Sequence, residues 1–269
     1  MLIIGLLAIL IGVSLGLLGG GGSVLAVPIL VYAAELPAKE AIATSLLVVG
    51  TTSAFALIPH ARNKNVVWRT GLIFSVTAMV GAYLGGLAAD WFSGTVLLLL
   101  FAGMMVITAL AMFRGKKEIQ ATGKTAPFYV VILEGLVVGG ATGLVGAGGG
   151  FLVVPALVLF GGMDMHKAVG TSLMVIALKS FAAFAGHASH VTINWDLALT
   201  VTAGAVVGSL IGAAFSSKIP AQVLRKGFAV FVLLMAGFIL WKEIGNISAE
   251  KTEPAAAVIQ LDTPTPKLG

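Results

Sequence analysis

No charged side chain occurs between Met1 and Glu35, and the run from Leu2 to Tyr32 is almost wholly apolar. About 20 apolar residues in helical form span the hydrocarbon of a bilayer, so this stretch already exceeds one crossing. Comparable runs recur to the end of the chain. Eight can be drawn, over 2–33, 40–60, 68–89, 95–113, 127–160, 168–187, 196–216 and 222–241. Only 10% of residues are charged, against about 25% in soluble domains. Backbone N–H and C=O groups in lipid must be satisfied within the segment, which admits helices or closed barrels. Runs of this length predict an all-α polytopic membrane protein with no sizeable soluble domain.

Two of the eight runs are interrupted. Gly19-Gly20-Gly21-Gly22-Ser23 precedes Pro28 in the first, and Gly146-Ala147-Gly148-Gly149-Gly150 precedes Pro155 in the fifth. Gly and Pro are the poorest helix formers. A break at membrane depth is tolerated where it is buried in protein or lines a cavity. Matched breaks in two halves of a chain are the best sequence pointer to a transporter binding site.

The two halves read as a tandem repeat. Gly16 and Gly143, Pro28 and Pro155, Thr44-Ser45-Leu46 and Thr171-Ser172-Leu173, His60 and His187, Trp68 and Trp195, and Gly85 and Gly212 all match at one offset without a gap. The expected organisation is a first membrane repeat over 1–113, a basic loop over 114–126, a second repeat over 127–244 and a disordered tail over 245–269. Each repeat has four segments, the first broken or re-entrant at its glycines.

Two topologies remain open. Eight single crossings make the halves parallel and leave Lys218, Arg225 and Lys226 on the side opposite Arg62, Lys64 and Arg114. Re-entrant hairpins at the two breaks make the halves inverted and place these basic clusters together on the cytoplasmic side.

A half-helix that starts at membrane depth presents free N–H groups and the positive end of its dipole, a ready anion site. The candidate substrate-binding residues are therefore Gly20, Gly21, Gly22, Ser23, Gly148, Gly149 and Gly150. Pro28 and Pro155 are expected in the first turns of the second half-helices. Thr44, Ser45, Thr171 and Ser172 could donate hydroxyls to the same ligand, although in membrane helices such groups usually bond a carbonyl of the preceding turn. Lys179 is a basic residue placed mid-segment, where a charge is expensive and functional by default; its repeat partner is Thr52. It could hold an anion, snorkel, or pair with Glu134. His60, His187 and Glu134 are the candidates for proton coupling, with interfacial histidines satisfied by loops as the plainer alternative.

The chain has no Cys, which excludes thiolate metal sites and cysteine catalysis. The four His are too dispersed to suggest a metal site. No cofactor is implied. The net charge of +5 comes from short loops, where it sets orientation rather than nucleic-acid binding. No phosphate-binding loop of the ATPase kind occurs.

With these residues in view, the chain resembles the sulfite exporter TauE/SafE family. The resemblance rests on Gly16-Leu-Leu-Gly-Gly-Gly-Gly-Ser23 with Val27-Pro28 and Ala43-Thr44-Ser45-Leu46, and on their counterparts Gly143–Gly150, Val154-Pro155 and Gly170-Thr171-Ser172-Leu173. It covers about residues 5 to 242. It implies a multi-pass permease of the cell inner membrane for sulfur-containing or organic anions, driven by an ion gradient. The expected partners are a small anionic substrate, the lipid bilayer and H+ as coupling ion, with room for a homo-oligomer. A cation or metabolite exporter is the alternative within transport. A membrane enzyme using the interfacial histidines is the alternative outside it.

Overall fold

The computed structural model describes residues 2–114, 128–145, 150–159, 161–188, 191–216 and 218–261. These residues form ten α-helices. Helix α1 is Leu2–Leu18, followed by a tight 3-10 turn at Gly19–Gly22, α2 at Ser23–Pro28 and a π-helical stretch at Ile29–Ala33. Then come α3 (Ala38–Arg62), α4 (Trp68–Ala88), α5 (Gly94–Arg114), α6 (Phe128–Val145), α7 (Gly150–Leu159), α8 (Met165–Ala188), α9 (Trp195–Ser216) and α10 (Ala221–Leu261). Six are long and apolar enough to cross a membrane, namely α3, α4, α5, α8, α9 and α10. The two interrupted runs of the sequence each become a pair of shorter apolar helices, α1 with α2 and α6 with α7.

The breaks differ in one detail from expectation. Pro28 closes α2 rather than opening it, and Pro155 sits midway along α7. A proline inside a helix removes one ladder bond. After Pro28 the helix widens: the Ala34 amide donates to the Ile29 carbonyl at 3.0 Å, a five-residue step, and the Leu36 amide to the Leu30 carbonyl at 3.0 Å. The same pattern follows Pro155, with Gly161 donating to Ala156 and Met163 to Leu157, both at 3.1 Å. Glu35 and Gly162, equivalent in register, then reverse the chain with φ of 55° and 63°. Helix α10 continues past Gly245 to Leu261, where the shift to polar composition suggested a disordered tail; Ala255-Ala256-Ala257 are strong helix formers. Residues 262–269 and most of the basic loop lie outside the described residues.

Lipid tails are as apolar as Leu, so membrane helices associate through close packing of small residues. The longest contacts here are of that kind. On α1, a side chain at Gly12 or Gly16 would overlap the backbone of α9 at Ala205 and Ser209 respectively. On α9, Gly208 and Gly212 face Ile9 and Val13 of α1. The same pairing joins α4 to α6: Gly81 and Gly85 face Leu136 and Gly140. Residue number rises together along both members of each pair, so α1 runs parallel to α9 and α6 parallel to α4.

The central pair, α3 and α8, runs antiparallel. The Val67 amide, just past the end of α3, donates to Thr171 Oγ1 near the start of α8 at 2.9 Å. The Asn194 amide, past the end of α8, donates to Glu40 Oε1 in the first turn of α3 at 3.3 Å. Helix α10 packs along α5, and Phe101 and Phe228 are fully buried in the core they share with Phe151.

The glycine contacts are open to test. Gly85→Leu and Gly212→Leu should each push a helix pair apart and lower the unfolding temperature in detergent by several degrees. Gly227 and Gly237 meet nothing within 4 Å; alanine there should leave stability unchanged or raise it by about 0.5–1 kcal/mol, the intrinsic helix preference. Thermal unfolding of the four variants against the parent protein checks this.

Candidate functional site

The first break turns on Gly19, whose φ of +64° lies in the left-handed region that glycine enters without penalty. Its α-carbon also lies close to α8: a Cβ there would stand 2.7 Å from Ser172 Oγ. From Gly20 onward the chain is helical again. The 3-10 turn at Gly19–Gly22 closes i→i+3 bonds across the break and leads directly into α2.

The two breaks touch. A Cβ on Gly20 would overlap the backbone of Gly150, and one on Gly150 would meet Gly20 and Ile176 Cδ1. Gly150 opens α7, so the starts of both second half-helices meet backbone to backbone. Gly21 is part of the first turn, whereas Gly148 and Gly149 lie outside the described residues.

Ser172 and Ile176 thus mark the stripe of α8 that faces the breaks. Lys179 follows at the i, i+4, i+7 spacing that keeps residues on one helix face. Its side chain is 1% exposed. The ammonium donates to Thr142 Oγ1 at 2.8 Å, and Thr142 in turn donates to the Gly139 carbonyl at 3.1 Å. Among the described residues the ion pairs are Lys39 with Asp90 and Lys167 with Asp164, both at the surface; none reaches Lys179. Pairing with Glu134 is not formed. Glu134 is half-buried in the outer part of α6, eight residues before Thr142.

The hydroxyls of the sequence reading divide. Ser23 donates to the Gly20 carbonyl at 2.7 Å, Ser45 to Ile42 at 2.7 Å and Ser172 to Val169 at 2.8 Å. All three therefore bond their own preceding turn, as Ser commonly does in membrane helices. Thr171 accepts the Val67 amide. Thr44 Oγ1 is buried with no hydrogen-bond partner.

The histidines have a backbone role that sequence reading missed. His60 Nε2 lies 3.0 Å from the Gly16 carbonyl and His187 Nε2 2.9 Å from the Gly143 carbonyl. A carbonyl acceptor requires the hydrogen on Nε2. The last carbonyls of α1 and α6 have no amide to receive because the glycines end the helix, and each histidine supplies the donor from the far end of α3 or α8. The signal was present: each His lies 44 residues beyond its glycine. Thr142, the partner of Lys179, was also missed; one Thr in a Gly-rich apolar run gives little warning.

This is a helical membrane bundle in which two broken elements meet near a buried lysine. The chain belongs to the sulfite exporter TauE/SafE family, whose model matches residues 4–239. It is 33% identical over 251 residues to a probable membrane transporter protein of Xylella fastidiosa, covering 89% of this chain and 95% of that one. It is 28% identical to the probable membrane transporter protein YdhB of Bacillus subtilis, with 89% and 99% covered. A probable membrane transporter protein of Methanocaldococcus jannaschii is 27% identical, with 87% and 94% covered. No solved structure matches the chain. The protein is a multi-pass membrane transporter of this family.

Replacing His60 by Ala strands the Gly16 carbonyl in a site where water does not substitute. Leaving a buried partner unsatisfied costs about 1–3 kcal/mol, so His60→Ala should lower the unfolding temperature in detergent, and His187→Ala by a similar amount. A histidine serving only in proton transfer would leave that temperature unmoved.

Proposed function

We propose that the chain is a secondary transporter of a small oxyanion, sulfur-containing or organic, built from two inverted halves over 1–113 and 127–244. The observation that carries the anion is Lys179. A buried ammonium with one neutral partner and no carboxylate is an uncompensated charge in a low-dielectric site, which is strongly unfavourable until a counter-ion arrives. It sits one helical turn beyond the residue that meets Gly150. An anion there would lie near the start of α7, where Gly150 meets Ile176 Cδ1. The matching family's description, sulfite exporter, agrees with the sign of the charge and suggests sulfur.

Inversion rests on parity. Helices α3 and α8 are equivalent in register yet antiparallel. Helix α1 is parallel to α9, which returns after α8, so α1 and α3 point the same way. The stretch 19–33 must then bring the chain back, and 2–33 is a hairpin ending on the side where it began. With α3, α4 and α5, each half reverses the chain's side. Hydrogen bonds tie the ends together consistently. Arg225 donates to the Met112 carbonyl and His166 Nε2 meets the Ile219 carbonyl on one side. Lys39 meets Asp90, and Tyr32 meets Glu243, on the other. Among the described residues the first side carries Arg62, Lys64, Arg69, Arg114, Lys218, Arg225 and Lys226, which makes it the cytoplasmic side by the positive-inside rule.

Transport would follow from one half rocking against the other about the contact of Gly20 with Gly150, which is closed in this conformation. Coupling to H+ would fall to Glu134, since His60 and His187 hold helix-end carbonyls.

Two experiments test this reading. In the first, the purified protein is melted with sulfite, sulfate, thiosulfate, sulfoacetate, taurine and acetate. A ligand of the folded state raises its apparent stability. At least one anion should do so, and Lys179→Ala should weaken it roughly tenfold or more, the worth of a hydrogen bond to a charged group. No shift with any anion, or an unchanged affinity in the variant, overturns the assignment. In the second, reporters fused to the C-terminus read the side: the inverted topology expects active alkaline phosphatase and dark green fluorescent protein. The reverse result would restore eight single crossings, which leave both termini in the cytoplasm.

A further inference from the structure

The crossing of α3 and α8 carries hydroxyl groups that behave unlike their neighbours. Thr52 Oγ1, Ser53 Oγ and Ser180 Oγ are buried and have no hydrogen-bond partner. Their residues are 0%, 0% and 1% exposed. Ser45 and Ser172, on the same two helices, bond the preceding turn at 2.7 and 2.8 Å. That relief is available to any helical Ser or Thr, yet these three do not take it.

Their positions are related. Ser53 and Ser180 occupy equivalent places in the two halves, as do Thr52 and Lys179. The helices meet here: a Cβ on Gly50 would stand 3.3 Å from Ser180 Cβ and close to the Phe181 ring. Gly50 is one turn before Ser53. Because α3 and α8 are antiparallel and equivalent, their crossing lies on the axis that relates the halves. One ligand at that point can touch equivalent side chains from both.

We propose that Thr52, Ser53 and Ser180 are the hydroxyl side of the oxyanion site. They donate to the oxygens of a sulfite- or sulfonate-type head group whose charge faces Lys179. This rests on the reading that Lys179 holds the transported anion. Hydroxyls arriving from two helices, with Lys179 next to Ser180 in the chain, suit a head of three oxygens arranged in three dimensions better than a planar carboxylate. A neighbouring ammonium disfavours a metal cation on the same oxygens. Sharing the ligand between the two serines also makes its binding sensitive to the relative position of the halves, which alternating access requires. Glycine at position 50 lets the helices approach closely enough for both serines to reach one ligand.

The test uses full-length protein in detergent and sulfite as the probe, with acetate beside it. Affinity is measured by titration calorimetry, and stability without ligand by thermal unfolding. Ser53→Ala and Ser180→Ala should each weaken sulfite about tenfold, while leaving the ligand-free unfolding temperature equal or higher, because each removes an unsatisfied buried group. Thr52→Val should lose affinity and Thr52→Ser keep it. Discrimination between sulfite and acetate should shrink in the double serine variant. Unchanged sulfite affinity in all of them, with Lys179→Ala still weakened, would sink this assignment and leave the anion reading standing. Loss of affinity in step with loss of ligand-free stability would mark the hydroxyls as structural and sink it too. A parent protein that binds neither anion would take down both.

Discussion

A lipid environment offers no hydrogen-bond partners, so every interruption of a helix inside it must be repaired by the protein itself. This bundle contains two interruptions, and much of its polar inventory serves to repair them. His60 and His187 reach across to the carbonyls left at the ends of α1 and α6. Ser23 closes on Gly20. Past Pro28 and Pro155, wide backbone bonds satisfy the carbonyls of Ile29, Leu30, Ala156 and Leu157 where each helix ends. What is left unrepaired is informative because the pressure to repair is so high. Among the described residues Lys179 meets no carboxylate, and buried hydroxyls on α3, α5 and α8 have no hydrogen-bond partner.

Glycine carries the packing for a related reason. With no hydrophobic gain between helices in lipid, the bundle depends on how closely backbones approach. The parallel pairs α1 with α9 and α4 with α6 each join the first arm of one interrupted run to the second long helix of the other half, while α2 and α7 pack on α3 and α8 of their own half. On the proposed reading, a movement between halves would be felt where Gly20 meets Gly150.

Much of this was legible in the sequence. Apolar run length gave helices and membrane location because bilayer thickness fixes both. The glycine clusters marked the breaks because glycine enters the φ of Gly19 without penalty and no side chain fits the backbone contact at Gly20. The constant offset between halves was readable because each equivalent pair solves the same packing problem. The orientation of the halves was not readable. Run length does not distinguish one long crossing from a hairpin, and only contacts at helix ends, such as Val67 with Thr171, reveal which way α8 runs against α3. The carbonyl partners of the histidines were not readable for a similar reason. A titratable ring near neutral pH invites a proton-transfer role, while its carbonyl partner lies 44 residues away and becomes visible only once α1 and α3 are side by side.

The unequal halves bear on how a near-symmetric scaffold can transport in a directed way. Where one half has Lys179 the other has Thr52, and where α6 offers Thr142 the equivalent position of α1 is Leu15. The scaffold is doubled, but the charge is single. A symmetric pair of ammonium groups at the crossing would repel one another and would demand a dianion to neutralise them. On the proposed reading, a single one would favour a monoanion and bias which end of it faces which half. The hydroxyls of Ser53 and Ser180, equivalent and uncharged, would then follow the ligand in either arrangement of the halves. The asymmetry in charge would select the ligand, and the likeness of the two backbones would supply the two states between which it is passed.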